Sequence, residues 1–187
     1  MAQLHTSLKA DSHLRHFGRM QLGLFLKGIG LPLPEALIYW RRAFSRKFTD
    51  DQFQKSYAYN IRHNYGMEGR RTDYTPYSCA KIITTNAPGA GDHHGCPFRH
   101  AGAGRLKALL CHGGLGGAEA GEVAELARQG HYQVACTKYL ELRLRQRRGG
   151  AAPAVALDGI THPNQYFDLS VGNGERARPG DPAAAHP

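Results

Sequence analysis

Apolar residues recur along this chain at the spacing of buried helical faces rather than of strands. One set follows the i, i+3, i+4, i+7 pattern of a single helical face: Leu22, Phe25, Leu26 and Ile29. The pattern predicts a helix that begins near Arg19 and ends within 28–30. Extending this helix further back would turn Arg15 onto the buried side, which is costly for a charge. We therefore predict a break at Phe17–Gly18 and an exposed loop over 13–18.

Similar stripes predict three more helices in the first half of the chain. Residues 2–10 form a helical pattern that stops at Asp11–Ser12. A second helix opens with Pro34, because proline suits a first helical turn. A third is capped by Asp50–Asp51 and ends at Gly66. The inner faces of the last two helices are formed by Leu37, Trp40 and Phe44 and by Phe53, Tyr57 and Ile61.

The second half is more irregular, and strand signals are weak throughout. Thr75–Pro76 opens a predicted helix that ends before Pro88, and a glycine-rich connector spans 87–95. Segment 101–117 is small and glycine-rich. The later elements are helices over 118–128 and 131–148, a loop over 149–160 and an ordered segment over 161–169. The predicted class is therefore mainly α, with few or no strands.

The chain is strongly basic. Its 187 residues carry a formal net charge of +9 at pH 7, and the pI is about 9.6. This length suffices for one domain with a hydrophobic core, and the charge favours a polyanionic partner. No apolar run is long enough to span a membrane, and no secretory segment follows Met1. We therefore expect no membrane partner.

The chain has four cysteines: Cys79, Cys96, Cys111 and Cys136. Without a secretory segment, free or metal-bound thiols in a reducing compartment are favoured over disulfides. The spacings are wide, no CxxC pair occurs, and no zinc-finger pattern matches. Spacing alone favours buried structural cysteines, and ligation of a cluster is the alternative.

Two groups of polar residues suggest binding chemistry. The first group runs from the predicted loop into the helix that follows it: His13, Arg15, His16, Arg19 and Lys27. A cationic loop held by a rigid helix suits an anionic ligand, although a solvated helix end explains the same residues. The second group lies on the helix that ends at Gly66: Tyr57, Tyr59, Asn60, Arg62 and His63. Such side chains hold phosphates and stack bases, but a half-buried helix with a polar rim is an equal alternative.

Six blocks occur in an order that resembles a known family: HLRHFGRMQLGLFLKGIG, SYAYNIRHNYG, GRRTDYTPYSC, GCPFRH, HYQVACTKYLE and HPNQYF. Together they resemble the C-terminal iron–sulfur domain of the DNA primase large subunit of eukaryotes and archaea. The resemblance covers roughly residues 3–168. It implies an irregular helical iron–sulfur domain over 1–168, and we expect a disordered tail over 169–187.

The resemblance implies an accessory role in DNA replication rather than catalysis. Domains of this family grip the template and the 5′-triphosphate end of the RNA primer, and the catalytic primase subunit forms the bonds. By motif, the two polar groups described above correspond to the phosphate and template contacts. The implied partners are the catalytic subunit and DNA polymerase alpha, and the implied location is the nucleus. We see no catalytic constellation, since the aspartates are scattered.

The resemblance also implies a [4Fe–4S] cluster. Three of its cysteine ligands correspond to Cys79 in YTPYSC, Cys96 in GCPFRH and Cys136 in HYQVAC. The fourth family cysteine would immediately precede Met1, so we expect one iron to be left open to water or to a side chain such as His5. Cys111 lies outside the matching blocks.

One departure and two alternatives remain at this stage. The family often has glycine at the position of Phe17, and a positive φ there would strain a phenylalanine. The first alternative is a module that binds single-stranded nucleic acid and is stabilised by zinc on the three cysteines and a histidine. The second is a metal-free interaction scaffold in which the cysteines belong to the core.

Overall fold

The computed structural model describes residues 1–149 and 159–172, which form short helices joined by tight turns. The first helices are α1 (Ala2–Asp11), α2 (His16–Gly28), α3 (Leu33–Phe44), α4 (Asp50–Phe53) and α5 (Tyr59–Asn64), with a π-helical turn (Gln54–Ala58) between the last two. The later helices are α6 (Cys79–Thr84), α7 (Pro97–His100), α8 (Ala103–His112), α9 (Gly117–Arg128), α10 (Tyr132–Arg147) and α11 (Pro163–Ser170).

The mainly α prediction is confirmed for the described residues. They contain no strand, and Tyr65 and Asp73 form an isolated antiparallel bridge. No helix in this part of the chain combines the length and the apolar composition needed to cross a membrane. Residues 150–158 and 173–187, which include most of the predicted loop and of the predicted tail, lie outside the described residues. Helix α11 continues two residues past the predicted domain boundary at 168.

The first hydrophobic cluster lies between α1, α2, α3 and the helical segment that begins with α4. Leu8, Leu22, Phe44 and Phe53 are fully buried in it. Trp40 packs edge-on against Phe44, with ring centroids 5.6 Å apart. Burying a side chain of this size contributes about 1.5–3 kcal/mol to folding. This cluster therefore holds α2 and α3 firmly against the segment that carries the second polar group.

The second hydrophobic cluster belongs to the C-terminal half. It is formed mainly by α8, α9 and α10, with Leu110, Val123 and Ala135 buried at its centre. Cys96 and Cys136 pack against its edge. Two of the three predicted cluster cysteines therefore border the second core.

Helix α11 returns from the second half of the chain to α2. Phe167 packs edge-on against Phe25, with ring centroids 5.9 Å apart. The buried Asn164 side chain donates a hydrogen bond to the Phe25 carbonyl oxygen (2.9 Å). This contact anchors the C-terminal described segment on the helix that carries the first polar group.

The predicted break at Phe17–Gly18 is wrong, because α2 already begins at His16. Arg15 is the residue just before the helix and has extended backbone (φ −66°, ψ 170°), so its charge stays in solvent without a break inside the helix. Phe17 is an exposed helical residue and has no positive φ, so the expected strain does not arise. The loop is reduced to residues 13–15, and of these only Arg15 is exposed, since Leu14 is buried and His13 is half-buried.

Two helix starts also differ from prediction. Thr49 rather than Asp50–Asp51 caps α4, because its hydroxyl accepts from the Gln52 N–H (3.3 Å) and the Gln52 side chain accepts from the Thr49 N–H (2.9 Å). Ser78 caps α6, which begins at Cys79 and not at Thr75–Pro76. In both cases a hydroxyl satisfies a backbone N–H that the first turn leaves free.

Helix α8 lies in the segment that the sequence describes only as small and glycine-rich. Leu106 and Leu110 are buried on its inner face. Gly102 precedes the helix and Gly113 follows it, so these glycines mark its ends. Because the segment is rich in glycine, sequence analysis missed the short apolar face of α8.

The last residue of α2 tests how tightly α2, α11 and the segment before α6 pack. A Cβ at Gly28 would lie 2.5 Å from Cγ of Pro76 and 2.6 Å from Nδ2 of Asn164. We expect Gly28→Ala to destabilise the domain by about 1–3 kcal/mol, the usual cost of overpacking. Thermal unfolding followed by circular dichroism measures this change.

Gly23→Ala on the same helix is the matched control. A Cβ there would lie 3.6 Å from the Trp40 ring, which is ordinary contact, and alanine favours a helix. We expect an unchanged or higher melting temperature. Equal melting temperatures for the two variants would contradict the packing argument.

Candidate nucleic-acid interface and thiol centre

The N-terminus of α2 is the centre of the candidate interface. Ser12 adopts a left-handed conformation (φ 50°), which ends α1 and leads into the loop over 13–15. No side chain caps α2, so its first backbone N–H groups are available to a ligand. Free N–H groups at the positive end of a helix dipole form an anion-binding site.

Arg15 and Arg19, both predicted to bind an anion, lie near the start of α2 and differ in how deeply they are buried. The exposed Arg15 guanidinium donates to the Ala90 carbonyl (2.8 Å) and lies 3.7 Å from a carboxylate oxygen of Asp92. Arg19 is more buried: it donates to a backbone carbonyl (2.8 Å), and its guanidinium lies 5.1 Å from the centre of the Tyr57 ring. Burial lowers the pKa of Arg19, which Tyr57 opposes, but arginine remains charged at neutral pH.

His13 is enclosed by aromatic rings. Its ring centroid lies 5.5 Å from those of Phe44 and Phe48 and 5.9 Å from that of Tyr57. The Tyr57 hydroxyl oxygen is 3.4 Å from Nε2 of His13. The structure therefore brings together His13 of the first predicted group and Tyr57 of the second.

The charges around His13 are mostly positive. Burial lowers the pKa of His13, and Arg19, Lys47 and Arg15 lower it further, whereas Asp11 raises it. The free protein thus favours the neutral imidazole. An anion bound among the same cations would favour the charged form, so binding and proton uptake are linked at this residue.

A π-helical turn places Tyr57 in this group. The turn over Gln54–Ala58 separates α4 from α5, and such wide turns are often found at functional sites. Phe53 and Ala58 are buried in the core, whereas Tyr57 is half-buried and reaches His13. The i, i+4, i+8 pattern predicted that Tyr57 lies on the buried face of its helix. This prediction is only partly correct, because Tyr57 is half-buried.

A narrow groove of about 20 Å³ lies between α2, α3 and α5. His16 and Arg19 line it from α2, and Tyr57 and Asn60 line it from the opposite side. Apolar and aromatic side chains form most of the remaining wall. Four of the ten predicted binding residues therefore share one surface feature, directly beside the N-terminus of α2.

Lys27 is near the other end of this groove and is already fully engaged. Its ammonium donates to the carbonyls of Asn64 (2.9 Å) and Tyr74 (2.8 Å) and pairs with the Asp73 carboxylate. A lysine has three donors, and all three are used here. Lys27 thus joins α2 to the end of α5 and to the loop before α6, and a ligand would have to displace one of these contacts.

Tyr59, Arg62 and His63 form a separate surface. The Tyr59 ring lies 5.9 Å from His63, whose ring lies 5.1 Å from that of Tyr74. Arg62 pairs with Glu68 at 2.6 Å. None of these side chains lines the groove. Exposed rings in a row with a nearby cation are typical of a surface on which bases stack.

Sequence analysis missed the carboxylates that hold these cations. Asp92 pairs with Arg15 and Asp73 pairs with Lys27, 46 residues away in the latter case. No periodicity relates residues that lie so far apart in the chain. Lys47, in the turn between α3 and α4, was missed for the same reason.

The three predicted cluster cysteines come from separate elements and are half-buried. Cys79 begins α6, Cys96 precedes α7, and Cys136 lies in α10. Burial raises the pKa of Cys79 to about 11, and Cys96 adds to that effect. Burial also raises the pKa of Cys136, with further contributions from Cys79 and Cys96. Each thiolate therefore disfavours the ionisation of its neighbours.

Other groups near Cys96 favour its thiolate. Burial raises the pKa of Cys96, but the backbone N–H groups of Arg99 and Phe98 and the amino group of Met1 act in the opposite direction. Burial lowers the pKa of the Met1 amino group, and Cys136 and Cys96 oppose that shift. The Met1 nitrogen therefore lies beside the same group of thiols.

Backbone hydrogen bonds connect the elements that carry the thiols. The Cys79 N–H donates to the Thr161 carbonyl (2.9 Å), and the Ile160 N–H donates to the hydroxyl of Thr137, the residue after Cys136 (2.9 Å). The segment before α11 thus holds α6 and α10 together.

The buried Gln21 links α2 to the same region. Its amide donates to the Gly95 carbonyl (3.1 Å) and accepts from the Gly95 N–H (2.8 Å). Gly95 immediately precedes Cys96. The interface and the thiol centre are therefore joined by a direct polar contact.

The donor set fits three of the four ligands of a [4Fe–4S] cluster. Within residues 1–149 and 159–172, no group of three or more Cys, His, Asp or Glu side chains is close enough to hold a single metal ion. Zinc needs its ligands at about 2.0–2.3 Å, whereas cluster thiolates bind different irons and lie farther apart. Cys111 is exposed on α8, and His5 bonds to Tyr39 (2.9 Å).

Comparison with known proteins identifies the family of this chain. Residues 1–167 match the family of C-terminal domains of the eukaryotic and archaeal DNA primase large subunit. The chain is 53% identical over 171 residues to a probable DNA primase large subunit of Arabidopsis thaliana, covering 91% of this chain and 36% of the relative. It is 50% and 48% identical over 168 residues to the DNA primase large subunits of Mus musculus and Homo sapiens, covering 89% of this chain and 32% of each relative. The chain thus spans about a third of the length of these relatives.

Three half-buried histidines predict the acid sensitivity of the fold. Burial lowers the pKa values of His5, His13 and His100 from 6.5 in the folded protein. The unfolded chain therefore binds more protons near that pH, and stability is lost as the pH falls through about 6.5. We expect the melting temperature to be lower at pH 5.5 than at pH 7.5.

His13→Gln should show a smaller loss of melting temperature than the parent chain over this range. His112→Gln is the control, because His112 is exposed on α8, and it should keep the parent behaviour. The same pH dependence in all three proteins would show that His13 is not the source of the effect.

Proposed function

Because the chain belongs to the family of eukaryotic and archaeal DNA primase large subunits, we propose that it is a non-catalytic nucleic-acid-binding domain that acts in primer synthesis during DNA replication. It binds the template and the 5′ end of the RNA primer, including the triphosphate of the initiating nucleotide. The catalytic primase subunit forms the phosphodiester bonds. The proposed setting is the nucleus, in the assembly of primase with DNA polymerase alpha.

The start of α2 is the observation that carries this proposal. An uncapped helix N-terminus lies between Arg15 and Arg19. A nucleoside triphosphate is a dense anion that both features bind well, since guanidinium groups form paired hydrogen bonds to phosphate oxygens. The neutral His13 adds a hydrogen bond or, once protonated, a further positive charge.

The groove itself, at about 20 Å³, has room for only one or two water molecules, but its walls bring polar groups for a nucleoside bound outside it next to those for the phosphates. Tyr57 and Asn60 line it opposite His16 and Arg19. Asn60 is exposed and has both an amide donor and a carbonyl acceptor for polar groups of a sugar or base. The Arg19 guanidinium lies over the Tyr57 ring, and this contact restricts the orientation of the Arg19 side chain.

The separate surface of Tyr59, His63 and Tyr74 suits the template strand. The exposed rings of Tyr59 and Tyr74, with the half-buried His63 in contact with both, offer faces to unpaired bases, and every base has such a face. Phosphate contacts carry no sequence information. Together these features give binding that tolerates sequence and weakens with salt, as initiation at many template positions requires.

The thiol centre has a structural role in this proposal. Cys79, Cys96 and Cys136 would hold three irons of a [4Fe–4S] cluster, which supplies covalent cross-links between α6, α7 and α10. The buried thiols must lose their protons to bind, and the N–H groups near Cys96 favour that loss. A residue joined to the Met1 nitrogen would enter the same group of thiols.

Charge reversal tests the phosphate site. We expect Arg15→Glu to weaken binding to an RNA/DNA duplex with a 5′-triphosphate and a template overhang by at least about tenfold, because a charge-assisted hydrogen bond is worth about 1.5–3 kcal/mol. Fluorescence anisotropy at two salt concentrations measures the loss.

Arg148→Glu is the matched control at the exposed end of α10, where the neighbouring Arg147 is already held by the Ser170 carbonyl. It makes the same change in net charge and should cost much less affinity. Equal losses for the two variants would mean that only general basicity binds the duplex.

Metal analysis tests the thiol centre. We expect a chain purified without oxygen, with one cysteine added before Met1, to contain iron and sulfide and to absorb visible light. Cys136→Ser should abolish both signals, whereas Cys111→Ser, at an exposed thiol, should keep them. Zinc in place of iron would favour the zinc-stabilised module. No metal in any version would favour the metal-free scaffold.

A further inference from the structure

Phe17 is an exposed aromatic side chain in the first turn of α2. The chain has seven phenylalanines, all of them within the described residues, and the other six are buried or half-buried. Phe17 leaves 40% of its surface in solvent. Single exposed apolar residues are common on protein surfaces, so exposure alone does not indicate a binding role. The neighbours of this ring decide what it contributes.

Two histidines hold the Phe17 ring in place. Its centroid lies 5.3 Å from that of His16, at an interplanar angle of 72°, and 5.3 Å from that of His94, at 47°. His94 is buried, and its Nε2 lies 2.6 Å from the Asn86 carbonyl oxygen, so it is a fixed support. Neither of the two histidine rings lies parallel to Phe17, and the exposed part of the ring is open to another aromatic group.

The backbone that carries Phe17 is also fixed. Gly18 is buried, and a Cβ at this position would lie 3.4 Å from side-chain atoms of both Leu14 and Leu4. Helix α2 therefore packs closely on α1 at the turn from which Phe17 projects. A ring on such a turn loses little further conformational freedom when a ligand binds, which favours affinity.

The charges beside Phe17 suit a polyanion rather than an apolar partner. Arg15 is exposed and is bonded to the Ala90 carbonyl, and α2 begins at the exposed His16 without a side-chain cap. Asp92 lies 3.7 Å from Arg15, but partly exposed pairs of this kind are weak. Single-stranded nucleic acids bind surfaces on which exposed rings lie next to cations, because bases stack on the rings and phosphates pair with the cations.

The shape of a primed template selects the base that reaches this ring. The bases of the primer are paired, whereas the template continues past the 5′ end of the primer as a single strand. Its first unpaired base therefore lies beside that 5′ end. In the proposed function the start of α2 binds the phosphates of the same 5′ end, and Phe17 belongs to the same turn of the helix. The first unpaired template base is thus the nearest base with a free face.

We propose that Phe17 is a stacking platform for the first unpaired base of the template, next to the 5′ end of the primer. This inference rests on the proposed function and adds a contact outside the groove, which Phe17 does not line. The contact holds the template at the point where the duplex ends. It accepts any of the four bases, since every base has a face that stacks. Tyr59 and Tyr74 then serve other unpaired bases of the same strand.

The test combines a change in the protein with a change in the template. Four RNA/DNA duplexes carry the same 5′-triphosphate primer on a template with an intact overhang, an abasic site at the first unpaired position, an abasic site at the third unpaired position, or no overhang. Fluorescence anisotropy gives their affinities for the parent chain, Phe17→Ala, Phe17→Trp and Ile38→Ala. Ile38 on α3 is also 40% exposed but has no ring, so Ile38→Ala controls for the loss of exposed apolar surface. Circular dichroism checks that the variants are folded.

We expect Phe17→Ala to bind the intact overhang about five- to tenfold more weakly, at the lower end of the range for one base–aromatic stack. The abasic site at the first position should weaken the parent by a similar factor and Phe17→Ala hardly at all, because the variant already lacks that contact. The abasic site at the third position should weaken both proteins equally. Phe17→Trp should keep the affinity of the parent, and Ile38→Ala should stay within about twofold of it for every duplex.

The outcomes separate this inference from the proposed function. Equal losses by Phe17→Ala for all four duplexes, including the one without an overhang, would overturn the inference, because the ring would then not bind a template base. Coupling to the third position instead of the first would overturn it as well, and so would parent-like binding of every duplex by Phe17→Ala. In each of these cases the parent chain still binds, and the proposed function stands. If the parent chain binds none of the duplexes, the proposed function itself fails.

Discussion

The packing of half-buried thiols beside the C-terminal core is the constraint on which the rest of the structure depends. The N-terminal cluster and the C-terminal cluster are built from different helices. Cys96 and Cys136 pack against the C-terminal cluster, and Cys79, Cys96 and Cys136 are all half-buried. Neutral thiols are weak hydrogen-bond partners. Apart from packing, a few bonds, such as those between Gln21 and Gly95, connect the two halves here, so ligation at this point would add what the noncovalent contacts lack.

The same connection explains why the anion-binding residues and the thiols belong to one unit. The glycine-rich connector leads directly into Cys96, and its backbone accepts from Arg15 and exchanges two hydrogen bonds with Gln21. Both side chains flank the start of α2 in sequence. The geometry of the proposed phosphate site is therefore set partly by the segment that positions a thiol, although the two sites share no residue.

The cations of the candidate interface already have carboxylate partners, which a bound anion would replace. Asp92 holds Arg15, Asp73 holds Lys27 and Glu68 holds Arg62. Ion pairs that are partly exposed contribute little to stability, about 0–1 kcal/mol each. They nevertheless keep long cationic side chains oriented before a ligand arrives. A bound polyanion would replace such a weak ion pair with stronger contacts. Because the ion pair already orders the cationic side chain, binding would cost less conformational entropy.

The sequence by itself determined the mainly α class, the approximate positions of most helices and the family blocks that contain the three cysteines. These features depend on local periodicity, on helix ends and on short motifs, all of which neighbouring residues determine. Local patterns failed where a single hydroxyl cap or the exact start of α2 decided the outcome. Only the tertiary structure decided that Lys27 is saturated, that Tyr57 meets His13 through a π-helical turn, and that Lys47 shares a recess with Arg15. Those contacts involve residues that are far apart in the chain. Local sequence patterns do not predict them, because burial and charge act through space.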